Sequence, residues 1–145
     1  MTIKLAIASD HAGFALKEYL KKNFVAVPVE WLDLGTDGAA SVDYPDFGKK
    51  LADAVANGDA PLGVAICGSG IGISIACNRN PKIRAALCTD STMARLTRLH
   101  NDANVVCMGE RLTGTEVALD ILKTFLETKF EGGRHQGRVD KLGDC

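Results

Sequence analysis

The 145-residue sequence has no apolar run long enough to cross a membrane, no Cys-x-x-Cys pair and no Gly-Lys-Ser/Thr triplet, and each absence removes a class of function. A spanning helix needs about 20 consecutive apolar residues, so no membrane-embedded role is expected. The missing triplet excludes the lysine-tipped phosphate loop of many NTPases. Five cysteines occur, Cys67, Cys77, Cys88, Cys107 and Cys145, odd in number and widely spaced. They read as free thiols of a reducing compartment rather than as a disulfide framework. An excess of charge of one sign is missing too: with a net charge of −1, neither nucleic acid nor an acidic membrane surface is an expected partner. Histidine is scarce, at His11, His100 and His135, and no ligand pair at i,i+4 spacing stands out, so no metal site is expected. No internal repeat, low-complexity stretch or linker interrupts the chain before residue 130. Met1 leads directly into a short apolar segment that Ser9-Asp10 ends, so the expectation is a cytoplasmic protein with one domain over residues 1–145.

What is present is a regular alternation. Short apolar runs at 3–8, 29–34, 62–67, 84–89 and 105–108 are each followed by a helix-length amphipathic run, at 14–24, 46–57, 71–78, 91–100 and 115–128. Leu16, Tyr19, Leu20 and Phe24 share one face of the first helix while Lys17, Glu18 and Lys21 lie opposite; Ala118, Ile121, Leu122 and Phe125 share a face of the last. Runs that are apolar throughout, such as Val64-Ala65-Ile66 and Ala85-Ala86-Leu87, imply burial on both faces of a parallel sheet. The predicted fold is therefore α/β, a doubly wound Rossmann-like three-layer sandwich with a five-stranded parallel sheet. Residues 131–145 form a tail in which a short helix can start at Arg134. Ligands of such sheets gather at the carboxyl ends of the strands. Those ends carry Ser9-Asp10-His11, Gly35-Thr36, residues 67–72, Thr89-Asp90 and Gly109-Glu110-Arg111.

The most informative of these is Cys67-Gly68-Ser69-Gly70-Ile71-Gly72, a thiol and three alternate glycines on a strand-to-helix turn. Glycine lets a ligand approach the backbone closely, and the first helical turn presents unpaired N–H groups with the dipole's positive end behind them. Thiolates form most readily in such settings, so a nucleophile or base beside an oxyanion site is the functional reading. The bland reading, a small buried apolar residue, suits Cys77, Cys88 and Cys107, which fall inside predicted elements, better than Cys67, which ends its strand. A dinucleotide fingerprint needs Gly-x-Gly-x-x-Gly, and after Gly68 and Gly70 the third place is Ile73. Asp10 can be a plain helix cap, and His100 a cation at a helix end. Arg134 and Arg138, four apart, share a helix face and suit a phosphate, unless they are a solvated basic tail.

In combination, Ala8-Ser9-Asp10-His11-Ala12-Gly13, Asp43-Tyr44-Pro45, the 67–72 run, His100-Asn101-Asp102-Ala103-Asn104 and Gly133-Arg134-His135 closely resemble the ribose-5-phosphate isomerase B family, within the wider group that includes galactose-6-phosphate isomerase. The resemblance runs in order from residue 3 to about residue 141. It implies reversible conversion of D-ribose 5-phosphate to D-ribulose 5-phosphate without metal or organic cofactor, by a homodimer, at times paired into a tetramer, with active sites shared between subunits. It further implies Cys67 as the base that moves a proton between two sugar carbons and His100 as the acid that opens the furanose ring. Asp10 would assist at the ring oxygen and hydroxyls. Ser69 and the amides of Gly68, Gly70, Ile71 and Gly72 would hold the enediolate, and Tyr44 would line the sugar pocket. His11, Arg134 and Arg138 would bind phosphate, with Arg111 and Asn101 contributing across the dimer interface. One branch of the family places a glutamate base where this chain has Ile73, so the resemblance is to the cysteine-dependent branch. Two other readings stand beside it: an isomerase of allose or galactose 6-phosphate, and a non-catalytic nucleotide-binding module.

Overall fold

The computed structural model describes residues 1–144. In chain order its elements are β1 (Ile3–Ser9), α1 (Phe14–Asn23), β2 (Val29–Asp33), α2 (Tyr44–Ala56), β3 (Leu62–Cys67), α3 (Ile71–Cys77), β4 (Ala85–Leu87), α4 (Ser91–Asn101), β5 (Val105–Gly109), α5 (Thr115–Glu127) and α6 (Arg134–Leu142), with a 3₁₀ turn over His11–Gly13 ahead of α1. Every strand pairing is parallel and the order across the sheet is β2-β1-β3-β5-β4. The α/β, doubly wound architecture is the one that the alternating pattern predicts. Of the five cysteines, Cys145 lies outside the described residues; the other four are free thiols.

Alternation along the strands sorts the core into two halves. Leu5, Ile7, Val64, Ile66, Val106 and Met108 face α1, α4 and α5, meeting Leu16, Leu20, Ile121, Leu122 and Phe125. Ala6, Ala8, Ala65, Cys67 and Cys107 face α2 and α3, where Leu51, Val55 and Ile73 cover them. The small side chains of that second face let α2 and α3 sit close to the sheet, with Cys67 at its upper edge.

Three expectations change. α2 starts at Tyr44, two residues before the predicted helix, because Pro45 fits the first turn, where a missing N–H leaves no intrahelical bond unmade. β4 is three residues long and only half-buried rather than covered on both faces, since it is an edge strand with β5 as its one neighbour. Lys17, expected on the solvated face of α1, is 1% exposed. Its Nζ donates to Asp33 Oδ2 at the end of β2 (2.7 Å) and to Glu18 Oε2 (2.9 Å), and Lys21 Nζ reaches the same Asp33 oxygen at 2.6 Å. Burial pushes the Asp33 carboxyl up, but the hydrogen bonds from Lys17 and Lys21 outweigh it and hold the group below the usual carboxylate range. The hydrogen bond from Lys17 does the same for Glu18, and the one to Asp33 raises Lys21.

Candidate active site

β1 and β3 lie side by side, Ser9 opposite Ile66, although the chain visits β2 between them. At such a reversal the loops leave in opposite directions and open a crevice above the strand ends. Here it is a cleft of about 630 Å³, large enough for a sugar phosphate. Asp10, His11, Tyr44, Cys67 and Arg111 form its walls, Gly68, Ser69 and Gly72 its floor, and Ile71, Ile75 and Leu112 its lip.

Cys67 closes β3 with its side chain 5% exposed, and Sγ accepts a hydrogen bond from the Gly70 N–H at 3.2 Å. Gly70 makes this turn at φ +79°, and a Cβ there would sit 2.6 Å from Leu87 Cδ1 and 2.7 Å from the Met108 carbonyl carbon. It is buried under the floor rather than on it. The Ile71 N–H donates to Ser69 Oγ at 3.2 Å. The N–H groups of Gly68, Ser69 and Gly72 make no hydrogen bond among the described residues, so the loop presents fixed donors to the cleft. α3 is only seven residues long, so these individual N–H groups, more than a long helix dipole, supply the positive potential. Ile73 is fully buried in the core and does not line the cleft.

The surrounding walls are fixed by backbone contacts. The Asp10 Oδ1 accepts from the Gly13 N–H at 3.0 Å, so the capping reading holds, and the second carboxylate oxygen has no hydrogen-bond partner among the described residues. His11 Nδ1 lies 3.1 Å from the Val42 nitrogen and 3.2 Å from the Val42 carbonyl oxygen, which holds the ring against residue 42 and leaves Nε2 without a hydrogen-bond partner among the described residues. The Arg111 N–H donates to the Gly68 carbonyl and the Glu110 N–H to the Cys67 carbonyl, both at 3.0 Å, which clamps the loop after β5 onto the loop after β3. The Arg111 guanidinium lies over Gly68, 3.1 Å from where a Cβ would stand, and the Tyr44 ring lies 2.6 Å from the corresponding point at Gly72. Glu110 does more than the sequence suggests: its Oε1 accepts from the Leu16 N–H at 2.7 Å, capping α1, whose own N-cap is a glycine.

The other thiols are in different surroundings. Burial, with the charge of Asp90, pushes Cys88 up to about 12. A hydrogen bond with Cys77, together with complete burial, raises Cys107. Neither is suited to accept protons near neutrality.

Not every predicted residue reaches this cleft. Gly35, Thr36 and Thr89 do not line it, and Asp90 caps α4 through the Met93 N–H. His100, Asn101, Arg134 and Arg138 also lie elsewhere in the same chain. The reason is topological: α4 starts at the carboxyl end of β4 and runs back for 11 residues, about 16 Å, so its last turn is at the opposite edge of the sheet. There His100 stacks on buried His135 from α6, ring centroids 4.4 Å apart and planes 20° from parallel. Arg134 Nε donates to His135 Nε2 at 3.4 Å, and both Arg134 and Arg138 are exposed on α6. Burial, then the nearby His100 and Arg134, holds the His135 imidazole below its ordinary range. Glu131 Oε1 is 3.8 Å from His135 Nε2. This Glu131-His135 pair, four residues apart, is the ligand-like spacing that attention to paired histidines and cysteines overlooks.

Residues 5–142 match the family described as Ribose/Galactose Isomerase. The chain is 43% identical over 139 residues to the ribose-5-phosphate isomerase B of Escherichia coli, covering 96% of this chain and 93% of that one. It is similar to the solved ribose-5-phosphate isomerase B of Clostridium thermocellum, at 52% identity and a TM-score of 0.90 over 98% of this chain and 96% of that one. The solved ribose 5-phosphate isomerase of Thermotoga maritima gives 48% identity and a TM-score of 0.93 over 99% of both chains.

Proposed function

The chain belongs to the ribose/galactose isomerase family, and we propose that it interconverts D-ribose 5-phosphate and D-ribulose 5-phosphate, with Cys67 as the base, in a cleft that a second copy of the chain completes. The observation that carries this reading is the position of Cys67: of the described thiols it alone lines a cleft, beside the unpaired N–H groups of the 68–72 loop. The relatives named for pentose phosphate support the substrate.

The reaction runs in three stages. His100 of the second copy protonates the furanose oxygen while Asp10 takes the proton of the anomeric hydroxyl, which opens the ring to the aldehyde. The Cys67 thiolate then removes the proton from C2, and the C–H electron pair moves through C1=C2 to leave the charge on O1. The N–H groups of Gly68, Ser69 and Gly72 meet that charge, a contribution of about 3 kcal/mol for one well-placed donor. Finally Cys67 returns the proton to C1 and the hydroxyl proton passes from O2 to O1, giving the ketose. The phosphate is held away from the chemistry by His11 Nε2 and Arg111, with Asn101, Arg134 and Arg138 of the second copy opposite, so that its binding energy orients C1 and C2. Tyr44 packs against the sugar.

Two features of one chain support the shared site. The α4–α6 end holding His100 and both arginines is separate from the cleft, and the cleft's lip is apolar and open, with Ile71 50% and Leu112 67% exposed. A second copy that brings its α4–α6 end to the cleft buries that lip and supplies the missing groups at one stroke. The reading is of a homodimer, which can pair into a tetramer, working as a single-domain cytoplasmic enzyme. Cys67→Ala tests it: kcat falls by about 10² to 10⁴ while far-UV circular dichroism stays unchanged. Turnover retained within a few-fold removes the thiol from the mechanism.

A further inference from the structure

We infer that His100, Glu131 and His135 form a binding site for zinc or a like borderline divalent cation, and that the bound ion blocks ring opening by occupying His100. One ring nitrogen from each histidine and one carboxylate oxygen of Glu131 lie within 4.8 Å of one another. Ligands about 2.0–2.2 Å from a tetrahedral zinc stand about 3.4 Å apart, and because the lone pairs of stacked rings lie in nearly parallel planes, closing the set turns one imidazole, the half-buried His100, out of its stack on His135. The backbone already holds the three together. The Glu131 N–H donates to the Leu99 carbonyl at 3.1 Å, which ties residue 131 beside His100, and the His135 N–H donates to the Gly132 carbonyl at 3.0 Å. His135, the second residue of α6, follows Glu131 by four positions across the Gly132-Gly133 turn, and its Nε2 lies 3.8 Å from Glu131 Oε1.

Two imidazoles and one carboxylate are a donor set that suits zinc better than magnesium or calcium, which prefer all-oxygen shells. Three protein ligands leave a fourth position for water or a sugar hydroxyl. Two cations oppose the ion. Arg134 Nε occupies the His135 Nε2 lone pair at 3.4 Å and must swing away on its exposed side chain, and Arg138 lies one turn further along α6. The site is therefore one that loads when free zinc rises, and an inhibitory one, because an imidazole whose lone pair is given to the ion cannot become the imidazolium that protonates the ring oxygen. Binding stands without the mechanism above; the inhibition rests on the ring-opening role assigned to His100.

Calorimetric titration of the chelator-treated full-length protein with Zn²⁺, paralleled by Co²⁺ absorption spectra, tests both parts. The expected result is one ion per chain, a tetrahedral cobalt spectrum without thiolate charge-transfer bands, and an affinity that Glu131→Gln weakens tenfold or more with its basal turnover unchanged. Zn²⁺ should inhibit isomerisation of the cyclic sugar, chelator should reverse it, and Glu131→Gln should shift the inhibition by the same factor. No stoichiometric binding, binding that Glu131→Gln leaves untouched, or thiolate bands that locate the ion at Cys67 would overturn the site. Binding that shows all the expected signatures but leaves turnover of the cyclic sugar unaltered keeps the site and overturns the blocking, and with it the role given to His100.

Discussion

Replacing Gly70 with alanine probes how the floor of the cleft is held. An L-residue at φ +79° costs about 1–2 kcal/mol. The added Cβ also meets Leu87 Cδ1 at 2.6 Å and the Met108 carbonyl carbon at 2.7 Å, and the second of these is backbone of β5, flanked by strands on both sides, with no room to retreat. Overpacking of that kind costs about 1–3 kcal/mol. Together they give about 3 kcal/mol, or a fall in Tm of about 10 °C for a chain of this size. Two other glycines separate the contributions. Gly132 has φ +71° and nothing within 4 Å of a Cβ, so Gly132→Ala reports backbone strain alone, a fall of about 3–6 °C. Gly38 has neither a positive φ nor a neighbour, so Gly38→Ala leaves Tm level or slightly raised. Relief at residue 70 moves the N–H that contacts Cys67 Sγ, so Gly70→Ala also loses about tenfold or more in kcat, while the other two variants keep theirs. Circular dichroism melts and kcat on ribose 5-phosphate supply both readings. If Gly70→Ala melts within about 2 °C of Gly132→Ala, the packing argument is wrong.

The cluster at Lys17 gives an acid-side prediction. Asp33 and Glu18 are held below the ordinary carboxylate range in the folded chain, so their contribution is complete above about pH 4 and is lost as pH falls through the lowered native values. Asp33→Asn leaves buried Lys17 with Glu18 as its one remaining carboxylate, costs about 2 kcal/mol near neutrality, the worth of a charged hydrogen bond, and flattens the fall in stability on the acid side. Urea midpoints from about pH 3 to pH 7 check this; an unchanged acid slope contradicts it. At the proposed phosphate end, Arg138→Ala raises KM for ribose 5-phosphate about tenfold, the loss of one charge-assisted contact, with kcat little altered. An unchanged KM returns Arg138 to a solvated helix face.

The fold is legible because strand-length apolar runs and helix-length amphipathic runs alternate without interruption, and that alternation forces a parallel sheet. The half of the site that sits on the strand ends, Asp10, His11, 67–72 and Arg111, is legible for the same reason, since sheet topology decides where those ends meet. Lys17 is misread because a helical wheel sees its own helix and not the carboxylate that β2 delivers at Asp33. β4 is misread because composition does not show which strand lies at the edge. Arg134 and Arg138 are suggested as an anion site by their spacing of four, whereas His100 gains a catalytic role only by resemblance, because no local pattern shows that α4 carries it away from the cleft of its own chain. Glu110 is placed at a strand end but given no role, and Glu131 none at all, because nothing local marks the first as the cap of α1 and only a spacing of four from His135 marks the second.

Mixing two inactive variants tests the central claim most directly. Cys67→Ala and His100→Asn each spoil every site of their own dimers, but a mixed dimer holds one site with both groups intact and one with neither. After subunits exchange in an equal mixture, half of the dimers are mixed and turnover rises to about a quarter of the parent enzyme's. A mixture shown by mass spectrometry to contain mixed dimers, yet no more active than its two components, would contradict a cleft built from Cys67 of one copy and His100 of the other.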